Sequence, residues 1–324
     1  MNIIIYTEGG FYLGLGNIYR MMELARSLKQ KDKTLQIEFI TSSEDYVVNL
    51  IKNKGWNVKK QPVGEIPQTI SELNFKVLII DKLNIEESFI QKIKNLKKES
   101  FKVVLFGNTS SANHISDLVI NSIVGTDYSN KIYTDKYGTT YLEGPKYMAL
   151  RSEFLHHSYI YKKACKNILL LFGGTDQANY SCKVLKKLLQ YPVKFNITLV
   201  IGKGYKFSDK LKLLLKDKPN NVNILENISN VNEVMLKNDF LITSAGTALF
   251  EGLYQGLPCV AFYQNESQKE VFGSFSMATD YSEIKNIGDY ILDIYNNYES
   301  YLEKVKKLEV GEGKNEILDC ILDK

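Results

Sequence analysis

The sequence predicts an α/β protein made of two doubly wound domains, and three observations carry that prediction. Short apolar runs rich in Ile, Val and Leu alternate with segments of helical period. The alternation breaks off once, near the middle, and then restarts. Both halves open with the same succession of strand, glycine-rich turn and helix. At 324 residues the chain is also longer than one hydrophobic core usually encloses.

The first half starts with the apolar run Asn2–Tyr6, followed by helical spacing over residues 18–30, a strand at Gln36–Thr41 and a helix from about Glu44. Further strands are expected at Val77–Ile80, Val103–Phe106 and Leu118–Ile120. These runs are apolar at consecutive positions, which suits parallel strands covered on both faces. From Thr126 to Arg151 the pattern fades into Tyr, Gly, Asp and Lys, with Gly144-Pro145 as a break. That stretch is expected to be a linker, giving domains at 1–148 and 149–324. The second half runs through Ile168–Phe172, the turn Gly173-Gly174-Thr175 and a helix, then Ile197–Ile201, Val222–Leu225, Phe240–Thr243 and Cys259–Phe262.

Composition removes several function classes. Apolar residues are 44% and charged residues 24%, which is ordinary for a globular protein. Lys and Arg number 41 against 37 Asp and Glu, a net +4, too slight for a nucleic-acid partner. Cys165, Cys182, Cys259 and Cys320 are widely spaced with no CxxC pair, so no disulfide framework is expected. The strand at Ile3-Ile4-Ile5 has no leader pattern ahead of it, and no 18-residue apolar run exists. A cytoplasmic protein without stable membrane insertion is the expectation. The three histidines, His114, His156 and His157, come with no recognisable partner ligands and are read as surface residues or as residues that only support a site, and no DxD-like pair stands at a strand end, so neither metal nor cofactor is expected.

Three loops carry chemistry. Gly9-Gly10 and Gly14-Leu15-Gly16-Asn17 lie between the first strand and its helix, where glycines allow close approach of a ligand and the helix N-terminus favours an anion. As a dinucleotide fingerprint it fails, because Tyr19 stands where the third glycine belongs. Gly173-Gly174-Thr175-Asp176 is a second loop of this kind. Ser244-Ala245-Gly246-Thr247 follows a strand and opens a helix, so backbone N–H groups and hydroxyls there suit a diphosphate. Glu251 follows one turn later and is placed to accept hydrogen bonds from ribose hydroxyls.

Four blocks taken together resemble a family. They are Gly14-Leu15-Gly16-Asn17-Ile18-Tyr19-Arg20; Gly144-Pro145-Lys146-Tyr147 with Leu150-Arg151-Ser152-Glu153-Phe154; Gly173-Gly174-Thr175-Asp176; and Ser244 to Pro258. In this order they resemble the UDP-sugar hydrolase of pseudaminic acid biosynthesis and its spore-coat polysaccharide relatives. The resemblance implies the GT-B fold, two Rossmann-like domains facing across a cleft, with a nucleotide-diphosphate sugar, most simply a UDP-sugar, on the second domain and a catalytic loop on the first. It also implies sugar contacts at Asn265 and Gln268, in a segment whose spacing is altered here.

The departures shape the functional reading. The family pattern has histidine after Gly-x-Gly as the base that activates water; this chain has Asn17, whose amide takes no proton at neutral pH. Where the hydrolase tends to carry Asp-His, this chain reads Asp81-Lys82. Hydrolysis is thereby disfavoured and transfer to a sugar or an already anionic acceptor is expected, with hydrolysis to water and a non-catalytic nucleotide-sugar-binding protein as alternatives. The expected catalytic residues are Asn17, orienting the nucleophile, and Glu8, the candidate base. Expected to bind substrate are Gly14, Gly16, Arg20, Lys82, Gly173, Gly174, Thr175, Ser244, Ala245, Gly246, Thr247, Glu251, Asn265 and Gln268. Arg20 and Lys82 are the cations expected to offset the leaving diphosphate.

Overall fold

The computed structural model describes residues 1–11, 13–82, 84–123, 129–155, 157–216, 220–273 and 275–323, with Ser267 described by its backbone alone. The described residues from Met1 to Ala149, together with those from Gly311 onward, form one compact unit, and Leu150–Val310 form another.

The first unit is built on an eight-stranded sheet of β1 (Asn2–Thr7), β2 (Gln36–Thr41), β3 (Asn57–Lys60), β4 (Val77–Asp81), β5 (Lys102–Phe106), β6 (Leu118–Asn121), β7 (Lys131–Thr134) and β8 (Thr140–Glu143). The strand order is β3-β2-β1-β4-β5-β6-β8-β7, parallel throughout except for the β7–β8 pair. Alternate side chains of the central strands feed two cores. Ile3, Ile5, Val77 and Ile79 point to one, and Ile4, Tyr6, Leu78 and Ile80 to the other. The helix Gly16–Lys31 covers the first core with Ile18, Met21, Met22, Ala25 and Leu28, at the three- and four-residue spacing of one helical face.

Two expectations are corrected here. The stretch expected to be a linker holds β7 and β8, a hairpin that extends the sheet, and residues 124–128 at its start lie outside the described residues. Its signal was weak because β7 is exposed along its whole length and buries no apolar stripe. Nor does the second half keep everything after 149. The helix Lys314–Leu322 sets Ile317, Leu318 and Ile321 into the first unit's core, and Tyr147 donates to Glu316 at 3.0 Å.

The second unit repeats the order with β9 (Asn167–Leu171), β10 (Asn196–Ile201), β11 (Val222–Glu226), β12 (Phe240–Ser244), β13 (Cys259–Phe262) and β14 (Ala278–Thr279), arranged β11-β10-β9-β12-β13-β14 and wholly parallel. Its core takes Ile168, Leu170, Phe172, Phe240 and Ile242 from the sheet and Val184, Leu185 and Leu188 from the helix Tyr180–Gln190. On the opposite face the helix Thr247–Gln255 lies so close that a Cβ on Gly252 would meet Leu241 Cδ2 at 2.8 Å. In chain order both sheets read 3-2-1-4-5-6, so each has a switch point between its first and fourth strands, where loops leave in opposite directions and open α/β sheets place their ligands.

Candidate functional site

In the first unit Thr7 pairs with Asp81, so Glu8 and Lys82 leave the switch point from neighbouring strand ends. Tyr6 and Ser42 complete a cluster with them. Glu8 Oε1 accepts from the Tyr6 hydroxyl, from Ser42 Oγ at 2.6 Å and from Lys82 Nζ at 3.2 Å; Lys82 Nζ also donates to the Tyr6 oxygen at 3.2 Å. Among the described residues Oε2 accepts no hydrogen bond. Burial alone would raise the Glu8 carboxyl, but the donated hydrogen bonds and the Lys82 charge outweigh it and hold the group below the ordinary 4.5. Burial and the neighbouring carboxylate push the Tyr6 phenol up. Glu8 is therefore an anion held by donors.

The glycine loop beside it turns tightly. Gly10 and Gly14 exchange N–H to O bonds of 2.9 and 2.8 Å, Gly14 has φ +74°, and a Cβ on Gly9 would meet Ile18 Cγ1 at 2.5 Å. The helix then starts at Gly16 with no side-chain cap. Asn17 Oδ1 accepts from Arg20 Nη2 at 3.1 Å, and Arg20 makes a two-pronged pair with buried Asp81, Nε to Oδ2 at 2.9 Å and Nη2 to Oδ1 at 2.6 Å. Burial lifts the Asp81 carboxyl while the guanidinium beside it pulls the other way. Arg20, expected to face the leaving diphosphate, has its charge matched inside the unit.

In the second unit Leu171 pairs with Thr243, so Phe172 and Ser244 leave side by side. Gly173 takes φ +77°, and a Cβ there would lie 4.0 Å from Ser244 Oγ. The Gly173-Gly174-Thr175 and Ser244-Ala245-Gly246-Thr247 loops are thus neighbours at one switch point. Gly202 closes on the first of them: its Cβ would meet Gly174 Cα at 2.5 Å. The helix Thr247–Gln255 begins after Gly246 with no side-chain cap, leaving its first amides to whatever anion stands before them.

Side chains around these loops are spent on the backbone. Asp176 accepts from Tyr180 N and Ser181 N, both at 2.8 Å, and so starts a helix. Gln264 Nε2 donates to Phe172 O at 2.9 Å. Asn265 Oδ1 accepts from Gln268 N at 2.9 Å, and Gln268 Oε1 from Gln264 N at 2.8 Å. The side-chain oxygens of both amides expected at the sugar thus shape their own turn. Glu251, expected as a ribose acceptor, is 1% exposed, and Arg151 forks onto it, Nε to Oε1 at 2.6 Å and Nη2 to Oε2 at 2.8 Å. Burial raises the Glu251 carboxyl and Arg151 opposes the rise.

Sequence reasoning left Tyr6, Ser42 and Arg151 out of the site. A tyrosine inside an otherwise aliphatic strand and the arginine of the Leu150–Phe154 block were the available signals; Ser42 had none. His114 stacks on Tyr137 with centroids 4.4 Å apart, and His156 lies outside the described residues. Among the described residues no group of three or more His, Cys, Asp or Glu is placed to hold a metal ion, and no helix is long and apolar enough to cross a membrane.

The comparisons agree with this architecture. A structure of MurG from Acinetobacter baumannii aligns over 100% of this chain and 99% of its own, with a TM-score of 0.62 at 13% identity. The fold is GT-B. HepE of Anabaena, solved in complex with UDP-glucose, aligns over 98% of this chain and 94% of its own, with a TM-score of 0.54 at 13% identity. In sequence the chain is homologous to SpsG, a spore coat polysaccharide biosynthesis protein of Bacillus subtilis, at 29% identity over 85% of this chain and 81% of SpsG. It is 36% identical to the uncharacterized protein MJ1062 of Methanocaldococcus jannaschii over 99% of this chain, but spans only 66% of that protein's length. No family model matches.

Proposed function

We propose that the chain is a glycosyltransferase-type enzyme of surface-glycan or nonulosonic-acid-related biosynthesis that uses a nucleotide-diphosphate sugar, with UDP as the nucleotide. One observation carries the reading: at the second unit's switch point two glycine- and hydroxyl-bearing loops adjoin, with Ser244 Oγ 4.0 Å from where a Gly173 Cβ would lie and an uncapped helix start behind them. Backbone N–H groups there have no side-chain cap to compete with, which is the environment a diphosphate needs. The UDP-glucose complex of the HepE neighbour supports the nucleotide.

In this reading Gly173, Gly174 and Thr175 with Ser244, Ala245, Gly246 and Thr247 hold the diphosphate, and Glu251 accepts from the ribose hydroxyls with the lone pairs that Arg151 leaves. The acceptor oxygen attacks the anomeric carbon, the bond from that carbon to the diphosphate breaks, and the nucleoside diphosphate leaves. Any proton on the acceptor needs a base, for which Glu8 Oε2 is proposed, with Asn17 proposed to orient the nucleophile. A carboxylate held low is a weak base, which favours an acceptor that arrives already anionic. Asn17 supplies no base for water, so hydrolysis is the slower outcome.

Calorimetry with UDP and UDP-N-acetylglucosamine tests the nucleotide site. Glu251→Ala is expected to weaken UDP binding by about 1–3 kcal/mol. Unchanged affinity in a folded variant removes Glu251 from the site. Rapid single-turnover hydrolysis of the sugar nucleotide without acceptor would replace transfer by hydrolysis.

A further inference from the structure

The helix that opens at Thr247 is strapped along one side by the first residues of the second unit. Besides the Arg151–Glu251 fork, Tyr254 donates to Leu155 O at 3.4 Å, Tyr159 N donates to Gln255 O at 2.8 Å, and Gln255 bonds Asn232, which itself donates to Glu153 O at 2.7 Å. Arg151 also pairs with Glu153 at 2.9 Å and lies over the Phe154 ring, 4.7 Å from its centroid. Three residues of the helix, Glu251, Tyr254 and Gln255, are thus held by this one strap and its neighbour Asn232.

Among the described residues the Arg151 fork is the one charged contact from the strap onto the helix, and it falls on a carboxylate that is 1% exposed. An unpaired carboxylate at that depth takes up a proton rather than remain charged. We infer that Arg151 is a positioning residue for nucleotide recognition: its guanidinium pairs with the buried Glu251 carboxylate and fixes both its oxygens, so that the carboxylate reads the ribose diol. This rests on the proposed placement of the nucleotide. Arginine is the residue that can do it, because its planar fork meets both oxygens and stays charged at any working pH. Burial raises the Glu251 carboxyl; of the charged groups that act on it among the described residues, Arg151 opposes that rise and Glu153 adds to it. Removing Arg151 leaves burial and Glu153 acting together, and the Glu251 carboxyl moves further up.

Affinities of UDP and 2′,3′-dideoxy-UDP for the full chain, at pH 6.5 and pH 9, test this. The unmodified protein is expected to prefer UDP at least about 10-fold at both pH values. Arg151→Met should lose that preference at pH 6.5 and recover part of it at pH 9, as Glu251 ionises, with dideoxy-UDP binding little changed. Equal weakening of both nucleotides at every pH would make Arg151 a plain structural prop and overturn the inference, as would a preference that Arg151→Met leaves intact. Should Arg151→Met fail to fold, Arg151→Lys takes its place, with a smaller preference than the unmodified protein at pH 6.5 expected and an unchanged one overturning. If the unmodified protein binds both nucleotides equally, the ribose contact and this inference fall while the diphosphate site stands. If it binds neither, the proposed nucleotide site falls first.

Discussion

The two switch points share a strand order and solve it in opposite ways. At the end of β1, side chains fill the space: Tyr6, Glu8, Ser42 and Lys82 bond one another and leave a fixed carboxylate and a fixed ammonium. At the end of β9 there are glycines and hydroxyls, and the larger polar side chains nearby, Asp176, Gln264 and Gln268, turn away to bond the backbone. Strand order decides where a ligand can sit; loop composition decides what it meets. The first arrangement suits moving or orienting a proton, the second cradling an anion.

The largest way to separate the two units is to remove the terminal helix. Cutting the chain after Val310 takes Ile317, Leu318 and Ile321 from the first unit's core. At about 1.5–3 kcal/mol for each buried side chain, the first unit should lose about 5 kcal/mol or more. Hydrogen exchange should accelerate over 2–7 and 16–31 and remain slow over β9 and β12. Acceleration spread evenly through the chain would mean that the units do not unfold separately.

That helix also marks where sequence reading stopped. Ten of the fourteen described strands were legible as apolar runs, nine of them because they are buried and β11 from its composition alone, and the loops after β1, β9 and β12 were legible because glycine and hydroxyl clusters at strand ends have few other uses. The exposed strands β3 and β7, the short β8 that pairs with β7, the two-residue β14 and the return of the C-terminus were not, since each depends on which neighbour covers it. In the candidate site residue types were readable but pairings were not. Nothing local tells Arg151 from a solvated arginine, or shows that the partner of Glu251 lies 100 residues away.

A smaller effect, confined to the first unit, should follow from Glu8→Gln. The Glu8 carboxyl sits lower in the folded chain than its ordinary 4.5, so its stabilisation is complete above that value and is lost as pH falls through the folded pKa. The neutral amide should cost about 1.5–3 kcal/mol at pH 7, with the gap closing in more acidic solution. Trp56 is the only tryptophan and packs 5.8 Å from Phe39 in the first unit, so urea melts followed by its fluorescence report that unit. A gap that stays constant down to pH 3 would mean that Glu8 is not the anion holding the cluster.

The smallest effect, and the one that most directly opposes binding to stability, lies in two adjacent residues of β12. Thr243 is fully buried and its hydroxyl donates to Leu171 O at 2.6 Å, which ties β12 to β9. Ser244, one residue on, has no hydrogen bond from its hydroxyl among the described residues, and that oxygen stands beside Gly173. Thr243→Val keeps the shape and removes one buried hydrogen bond, so it should cost about 1 kcal/mol of stability and leave UDP affinity unchanged. Ser244→Ala should do the reverse, with an unfolding curve like that of the unmodified chain and UDP affinity lowered about 3- to 10-fold, the worth of one hydrogen bond to a charged group. Calorimetry and urea melts on both variants separate the outcomes. If Ser244→Ala binds UDP as the unmodified chain does, the diphosphate rests on backbone amides alone, and the hydroxyl at the mouth of the second switch point is a solvated end of a strand.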